Sequence, residues 1–368
     1  MCAAIYPEID EAPEALWPHG HSASVLEERD WLALPRWPGD GAGYLATERA
    51  LLPFRMVTQP YGWRNMNLVD VCAGVSLALQ ADPALVAAAR QAAVPHLIVA
   101  APGYHTVPIG ERAPAALHQL VSELEREAAR REAHLGFAHV PPDGDALLAV
   151  LRERGYRDGV SSANVRLSLP GVSFDDYLAG FGAQRRNWIK RERKRFAAAG
   201  GRLESLSGEE IAPALEGIAS LEAELQSRHG FSADPAYFVA ANTAYLQRFG
   251  DRMHVIQAYL GDEVVGSLTV YSGPSDLVIR TVGLRYRQDV QRSTAYFNLT
   301  YYATVELAYR LGLSRIVLGP ATWEAKLRRG GRLVPLRAAL PPGAPPALAE
   351  LLRRTDAELS VAIAGVPQ

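Results

Sequence analysis

The segment GPATWEAKLRRG, residues 319–330, holds the residue types best suited to acid–base chemistry. It follows a short apolar run, 315–318, that is predicted to be a buried strand, and ligand sites of α/β proteins gather where strands end. The Glu324 carboxylate can accept a proton from a nucleophile, and the Lys326 ammonium can stabilise a developing negative charge. Trp323 is a candidate substrate contact beside them. The alternative interpretation is a surface ion pair between Glu324 and Lys326.

A predicted long helix, residues 295–310, carries a second group of polar side chains. Asn298, Tyr302 and Glu306 are four residues apart, so they are expected along one helix face. If that face lines a cleft, the Tyr302 hydroxyl can donate a proton to a leaving group, with Asn298 and Glu306 as substrate contacts. The alternative is a tyrosine that packs on the sheet and keeps its hydroxyl in water.

A basic segment, RYRQDVQRST at residues 285–294, precedes that helix and is predicted to be a loop. Arginine side chains and helix-capping hydroxyls can hold a phosphate group, although an exposed basic loop can equally be solvated. The candidate phosphate contacts are Arg285, Arg287, Arg292, Ser293 and Thr294.

The predicted helix over residues 184–199 is strongly basic. It carries seven cations and a single acid, Glu192, together with an apolar stripe of Trp188, Ile189 and Phe196. Such a helix can bind the phosphates of an RNA, and Trp188 can stack on an unpaired base. The alternative is a solvated helix that docks through its apolar stripe and pairs with acidic surfaces of the protein. The candidate RNA contacts are Arg185, Arg186, Trp188, Lys190 and Arg191.

An isolated charge lies in the middle of the apolar strand predicted over residues 277–284. Arg280 needs a partner if it points inward, because an unpaired buried charge is costly. A substrate carboxylate is one candidate partner, and Glu222 or Glu224 on a preceding helix is the other.

The first half of the chain offers one polar segment, QPYGWRNMNLVD at residues 59–70. Trp63 and Asn65 within it are candidate contacts for a polar acceptor. The segment can equally be an ordinary connection between two elements.

Composition excludes several classes of protein. The net charge of −2 provides no general attraction to nucleic acid or anionic membranes, so such binding requires a local patch. The two cysteines, Cys2 and Cys72, lack the spacing of a zinc site or a disulfide framework. The histidines show no metal-ligand spacing, no serine-hydrolase or nucleotide-binding loop occurs, and no segment has the pattern of a secretion signal or a membrane span. We therefore expect a cytoplasmic protein that uses no metal.

The order of predicted elements indicates an α/β fold with mixed sheets, because short strand-like runs alternate with longer helical ones. At 368 residues the chain is long enough for two cores. The two halves share a comparable order of helices and hairpin strands. The predicted units are an N-terminal domain (1–170), a linker with the basic helix (171–201), a C-terminal domain (202–342), and a hinge and helix (343–368).

Two segments resemble the FemAB-type proteins of the GNAT acyltransferase superfamily. The basic helix FGAQRRNWIKRERKRFAAAG, residues 181–200, is similar to the helix that joins the two halves of those proteins. The run YFNLTYYATVELAYRLGLSRIVLGPATWEAKLRRG, residues 296–330, is similar to their helix–strand–loop unit, and the hairpin GDEVVGSLTVY, residues 261–271, adds to the likeness. The resemblance implies tandem GNAT-like domains and an activated acyl group held between two splayed strands.

The resemblance further implies transfer of an acyl or aminoacyl group to an amine of a small metabolite or peptide, with no tightly bound cofactor. Aminoacyl-tRNA and acyl-coenzyme A are the two possible donors. Residues 285–294 lack the glycines of the coenzyme A loop, Arg/Gln-x-x-Gly-x-Gly, and the basic helix favours tRNA. A coenzyme A-dependent N-acetyltransferase and a non-catalytic RNA- or peptide-binding scaffold stay as alternatives. The helices at 209–229 and 235–249 are too short for the long helical arm of the enzymes that extend cell-wall peptides, which puts a peptidoglycan substrate in doubt.

Overall fold

The computed structural model describes residues 3–17, 24–33, 41–59, 66–74, 81–228 and 234–366. Within them the first half of the chain contains β1 (Ala4–Tyr6), α1 (Arg29–Leu32), β2 (Gly41–Ala46), β3 (Ala50–Val57), α2 (Leu68–Cys72), α3 (Pro83–Ala92), β4 (His96–Val99), β5 (Ile109–Gly110), α4 (Pro114–Arg130), β6 (His134–Val140), α5 (Asp145–Glu153) and β7 (Arg157–Ser168).

Two helices and a second set of strands and helices follow. They are α6 (Phe174–Ala179), α7 (Ala183–Ala198), β8 (Gly201–Ser207), α8 (Leu215–Arg228), α9 (Pro235–Phe249), β9 (Met253–Leu260), β10 (Glu263–Ser272), β11 (Asp276–Leu284), α10 (Gln288–Ser293), α11 (Ala295–Phe297), α12 (Thr304–Arg310), β12 (Arg315–Val317), α13 (Trp323–Leu327), β13 (Arg332–Leu340) and α14 (Pro346–Ala364). A π-helical turn, Asn298–Ala303, joins α11 to α12.

The described strands form one continuous mixed sheet. Its order is β1-β2-β3-β4-β6-β13-β7-β12-β11-β10-β9-β8, and β5 pairs with β3 outside this path. Each half contains one parallel pair at its centre, β4 with β6 and β11 with β12, while the other pairings are antiparallel. The two halves therefore repeat one strand arrangement.

The halves are joined by an exchange of strands. Strand β13, from the end of the chain, lies between β6 and β7 of the first half, while β7 lies between β13 and β12 of the second. The β13–β7 pairing runs from Arg332 opposite Arg166 to Leu340 opposite Arg157. Because backbone hydrogen bonds cross the junction along the whole length of β7, the two halves share one sheet.

Helices cover both faces of the second half. Helices α6, α7 and α10–α12 pack on one face around a core that includes Ile189, Phe196 and Leu299. Helices α8 and α9 pack on the opposite face around a core that includes Ile218, Tyr245 and Tyr271. We call these the α7 face and the α8 face. Any cleft that opens through the sheet connects them.

The mixed α/β fold predicted from the order of elements is confirmed. Most predicted boundaries agree within a few residues, but the segment predicted as a loop over 285–294 contains helix α10. A left-handed Thr294 (φ 67°) breaks the helical run between α10 and α11, and six residues then adopt π-helical spacing. The predicted domain limits at 170, 201 and 342 stay predictions.

Candidate active site

The parallel strands β11 and β12 separate within the sheet. Only three residues of each strand pair, ending at Val278 opposite Val317, although β11 continues to Leu284. Leu318 and Gly319 then follow β7 instead, since Leu318 N donates to Val165 O at 2.8 Å and Val165 N donates to Gly319 O at 3.2 Å. A gap therefore opens between β11 and the segment after β12.

A β-bulge in β11 lies where this gap begins. Thr281 pairs with Thr269 of β10 and Ile279 pairs with Val270, so Arg280 is the extra residue. A bulge leaves one residue out of the ladder and bends the strand. Because β12 ends opposite Val278, Arg280 has a Cα partner on neither neighbouring strand. Arg280 and Gly319 are each two residues past the last pair, so they border the gap at the same level.

Lys326 is buried beside Gly319, the second residue after β12. Its side chain returns from α13 to the strand end, where Nζ donates to Gly319 O at 2.8 Å. The residue is 6% exposed, and no carboxylate among the described residues lies within ion-pairing distance. Burial lowers the pKa of Lys326 to about 7, since the charged amine loses its water shell. At neutral pH this amine can either hold or release a proton.

The predicted partner of Lys326 is on the other side of α13. Glu324 is 77% exposed and forms an ion pair with Arg328 one helical turn later. The predicted alternative of a Glu324–Lys326 surface pair is wrong, because Lys326 is buried. Trp323 is half-buried, and its Nε1 donates to Ala163 O of β7 at 3.3 Å.

A buried charged network joins α7 to the loop after α13. Arg329 donates to both carboxylate oxygens of Glu192, at 3.0 and 2.8 Å, and its Nε donates to the Tyr302 hydroxyl at 3.2 Å. The Tyr302 hydroxyl itself donates to Glu192 Oε2. Arg329 is fully buried, and its guanidinium stacks on aromatic rings of Trp188, Phe297 and Tyr301.

This network changes the interpretation of Tyr302. Burial and the neighbouring Glu192 carboxylate raise the pKa of Tyr302 well above its usual range. The hydroxyl proton is held by Glu192, and the ring lies in the core of the α7 face. The expectation that Tyr302 lies free in the cleft is therefore wrong.

The other two residues of the predicted helix face also turn toward α7. Asn298 Nδ2 donates to Thr294 O at 3.0 Å and lies within 3.4 Å of Glu192 O. Glu306 forms an ion pair with Arg193 at 2.6 Å. The spacing correctly predicts one common face, but α7 covers that face because its own apolar stripe requires burial.

Most of the predicted phosphate contacts are engaged within the protein. Arg285 pairs with Glu224 at 2.6 Å, and Arg287 pairs with Glu263 at 2.8 Å and with Asp289 at 3.1 Å.

The hydroxyls of that group are buried. Ser293 Oγ donates to Val290 O at 2.7 Å, and Thr294 Oγ1 donates to Glu192 O at 2.8 Å. Only Arg292 of the five predicted residues is exposed and without an ion pair in the described part of the chain. The segment 285–294 therefore offers little for a phosphate group.

The basic helix α7 separates its cations into two groups. Arg186 donates to Phe181 O at 2.5 Å, Arg193 pairs with Glu306, and Arg185 lies over the Phe181 ring. The outward group has no carboxylate partner among the described residues, and its members Lys190, Arg191 and Lys194 line an open depression together with Gln184 and Asn187. That group consists of Lys190, Arg191, Lys194 and Arg195. We call it the basic face of α7.

Three residues that matter here were missed or undervalued by sequence reasoning. Arg329 and Glu192 were not selected, since a buried pair 137 residues apart leaves no local pattern. Glu222 was considered only as a partner for Arg280, yet it is 4% exposed and accepts hydrogen bonds from Asn242 Nδ2 at 3.0 Å and from the Thr281 hydroxyl.

The predicted acceptor contacts Trp63 and Asn65 lie outside the described residues.

The described residues contain no cluster of three metal-binding side chains. None of the described helices is both long enough and apolar enough to cross a membrane.

Comparison with known proteins finds solved structures of similar fold. FemX aligns with a TM-score of 0.57 at 11% identity, covering 92% of this chain and 97% of that chain. The C-terminal DUF2156 domain of a protein assigned as a lysylphosphatidylglycerol synthetase from Agrobacterium fabrum aligns with a TM-score of 0.55 at 12% identity, covering 94% of each chain. L-PGS from Bacillus licheniformis aligns at 0.53 and 11% identity, covering 86% of this chain and 89% of that chain. No curated protein matches the sequence.

The likeness to these solved structures is a likeness of fold. The model of the FemAB-like family, whose description is peptidoglycan biosynthesis or recognition, matches residues 110–340. Because the match spans more than half of the sequence, this chain belongs to the FemAB-like family. The sequence prediction of an acyltransferase in this family is thereby confirmed.

Proposed function

We propose that this protein transfers an aminoacyl group from aminoacyl-tRNA to the amine of a small metabolite or peptide. The observation that carries the proposal is Lys326, a buried amine without a carboxylate partner among the described residues, which donates to the carbonyl of Gly319 at the border of the gap. A buried amine without a counter-charge is costly, so its position beside Gly319 favours a role in chemistry over one in stability.

The proposed reaction needs no covalent enzyme intermediate. The acceptor amine attacks the donor carbonyl carbon, and the carbonyl oxygen becomes an oxyanion. Protonated Lys326 and strand amides at the gap stabilise that oxyanion. The C–O bond of the donor ester then breaks, and the amide remains.

The basic face of α7 supports tRNA as the donor. The exposed cations of this face have no carboxylate partners in the described structure and lie along one helix, and phosphates are the ligands that neutralise such a row. A cytoplasmic location follows from this donor. Acyl-coenzyme A is the alternative, supported by the GNAT fold, but the basic residues of 285–294 are mostly paired within the protein.

Product analysis tests the donor directly. Purified protein is incubated with charged tRNAs, acetyl-coenzyme A and a small-amine extract, with and without ribonuclease, and products are identified by mass spectrometry. We expect an aminoacyl amide that disappears after ribonuclease treatment. A ribonuclease-insensitive acetyl product would assign coenzyme A as the donor, and the lack of any product would favour a binding scaffold.

Charge reversal on the basic face of α7 should weaken use of the donor. In the triple variant Lys190→Glu, Arg191→Glu and Lys194→Glu, the KM for charged tRNA should rise at least about tenfold. The log–log dependence of kcat/KM on salt should also become shallower by roughly one unit per lost phosphate contact. Steady-state kinetics between 50 and 200 mM salt, concentrations over which such contacts weaken strongly, measure both effects.

A matched control reverses three exposed arginines elsewhere. Arg126→Glu, Arg130→Glu and Arg353→Glu change the net charge equally, on α4 and α14. This control should keep the KM and salt dependence of the wild type. Equal behaviour of the two triple variants would remove α7 as the tRNA contact.

A further inference from the structure

The α8 face of the gap contains several buried polar atoms with unmet hydrogen-bonding capacity. Thr269 Oγ1, Tyr271 Oη and Arg280 Nε are buried and have no hydrogen-bond partner among the described residues. Tyr271 belongs to the core of the α8 face, and Thr269 is two residues away on the same strand, so both point to that side. Buried polar groups in folded proteins are almost always paired, so three on one face need an explanation.

The bulge brings Thr281 to this face beside Arg280. Val278 packs in the core of the α8 face, and Thr281 donates a hydrogen bond to Glu222 of α8. Arg280 is the extra residue between them, and its polar neighbours are Tyr245, Tyr271 and Glu222. A regular strand would not bring residues 280 and 281 to the same side. An arginine, two tyrosines and a glutamate are thus neighbours on this face.

Arg280 and Glu222 are close but do not form an ion pair. Glu222 uses its carboxylate to accept from Asn242 and Thr281, and a carboxylate has lone pairs for further donors. Among the described residues no carboxylate lies within ion-pairing distance of the half-buried Arg280 guanidinium. Two opposite charges that stay apart in a poorly solvated place are complementary to a ligand that carries both charges.

We propose that the α8 face binds the acceptor as a free α-amino acid, with its carboxylate on Arg280 and the Tyr271 hydroxyl and its amine on Glu222. An anionic phosphate would meet Glu222 as a like charge, and a simple amine would leave Arg280 without a counter-charge. A zwitterion satisfies both groups at once. The inference rests on the proposed acyl transfer for its chemistry, whereas binding of the amino acid is independent of it.

The position of the site fits the transfer step. The acceptor ammonium gives one proton to the Glu222 carboxylate, and the free amine attacks the donor ester through the gap. The new C–N bond forms, the C–O bond to the donor breaks, and the second amine proton goes to the leaving oxygen. Burial raises the pKa of Glu222 above its usual range, which suits it to hold the first proton.

Binding without any donor tests the site. Wild-type protein is incubated with a pool of the twenty L-α-amino acids, and the retained ligand is identified by mass spectrometry after ultrafiltration. We expect at least one amino acid to bind about 100-fold more tightly than its α-carboxamide and its decarboxylated amine, because the arginine then loses its partner. Retention of no amino acid, or equal affinity for the carboxamide, would overturn the proposal.

Variants locate the binding. Arg280→Gln should lose at least tenfold in affinity for the retained amino acid, whereas Arg310→Gln, an exposed arginine on α12, should match the wild type. Equal binding by Arg280→Gln and the wild type would contradict the assignment. If Arg280→Gln does not fold, Arg280→Lys, which keeps the charge without the bidentate geometry, and the carboxamide comparison decide.

The result is separable from the proposed function. Retention of an amino acid that depends on Arg280, without any acyl product, supports this site and contradicts the transferase proposal. Acyl transfer to amines without discrimination for a carboxylate does the reverse.

Discussion

Lys326→Met should lower kcat by roughly 100- to 1,000-fold, the usual loss when a donor to an oxyanion is removed. Methionine fills similar space and carries no charge, so the fold should tolerate it at this buried position. The melting temperature at pH 7 should therefore equal or exceed that of the wild type. Single-turnover kinetics and thermal unfolding of the same preparations measure the two effects, and full turnover by the variant would exclude Lys326 from the chemistry.

The pH dependence gives a second readout of the same residue. The pKa of Lys326 is about 7 in the folded protein and about 10.5 when exposed, so the unfolded chain binds more protons between these values. Wild-type stability should rise with pH across this window, and Lys326→Met should lack that rise. If the protonated amine stabilises the oxyanion, kcat/KM should fall as pH increases through about 7. A rise over the same range would instead assign the neutral amine as a base.

Arg329→Met should destabilise the protein by about 3–5 kcal/mol, because it leaves the buried Glu192 carboxylate without its cation. The guanidinium also stacks on three aromatic rings and donates to Ala325 O at 2.8 Å, so no other group can replace it. Urea unfolding followed by fluorescence measures the change. Arg328→Met is the matched control. The Arg328 side chain is next to Arg329 in the sequence, but it is 58% exposed and pairs with Glu324 at the surface.

Tyr302→Phe tests whether the Tyr302 hydroxyl contributes to the stability of the fold or to catalysis. The substitution removes one hydrogen bond and leaves the Glu192–Arg329 pair, so stability should fall by only about 1 kcal/mol. Turnover should stay within a few-fold of the wild type because the Tyr302 hydroxyl faces Glu192. A loss of 100-fold or more in kcat with unchanged stability would make Tyr302 the proton donor after all.

For the Arg329 prediction, equal unfolding of the Arg329→Met and Arg328→Met variants would show that the buried Glu192–Arg329 pair does not hold α7.

The sequence alone determined the elements and the family. Helix and strand boundaries follow from apolar periodicity, capping residues and glycines, which act over a few neighbouring positions. Ser173 illustrates this, since its hydroxyl and the Asp176 carboxylate form the capping box that starts α6. The segments 181–200 and 296–330 carried the family resemblance, which the match over residues 110–340 supports.

The sequence also selected Lys326, but it could not show that Lys326 is buried while Glu324 is exposed. On a short helix of five residues, a spacing of two allows either outcome until the packing partners are known. The local pattern predicted a loop at 285–294, where the tertiary structure contains α10. Propensity is a weak guide over six residues, because tertiary contacts such as the buried Val290 decide the conformation.

Only the tertiary structure decided which residues meet. The Glu192–Arg329 pair spans 137 residues, and the Arg280 site combines β10, β11, α8 and α9. The strand exchange of β7 and β13 and the bulge that brings Thr281 to the same side as Arg280 likewise depend on pairing between distant segments. Sequence patterns report the local preferences of a chain, whereas the charges and hydroxyls that build this site are brought together by burial and strand register.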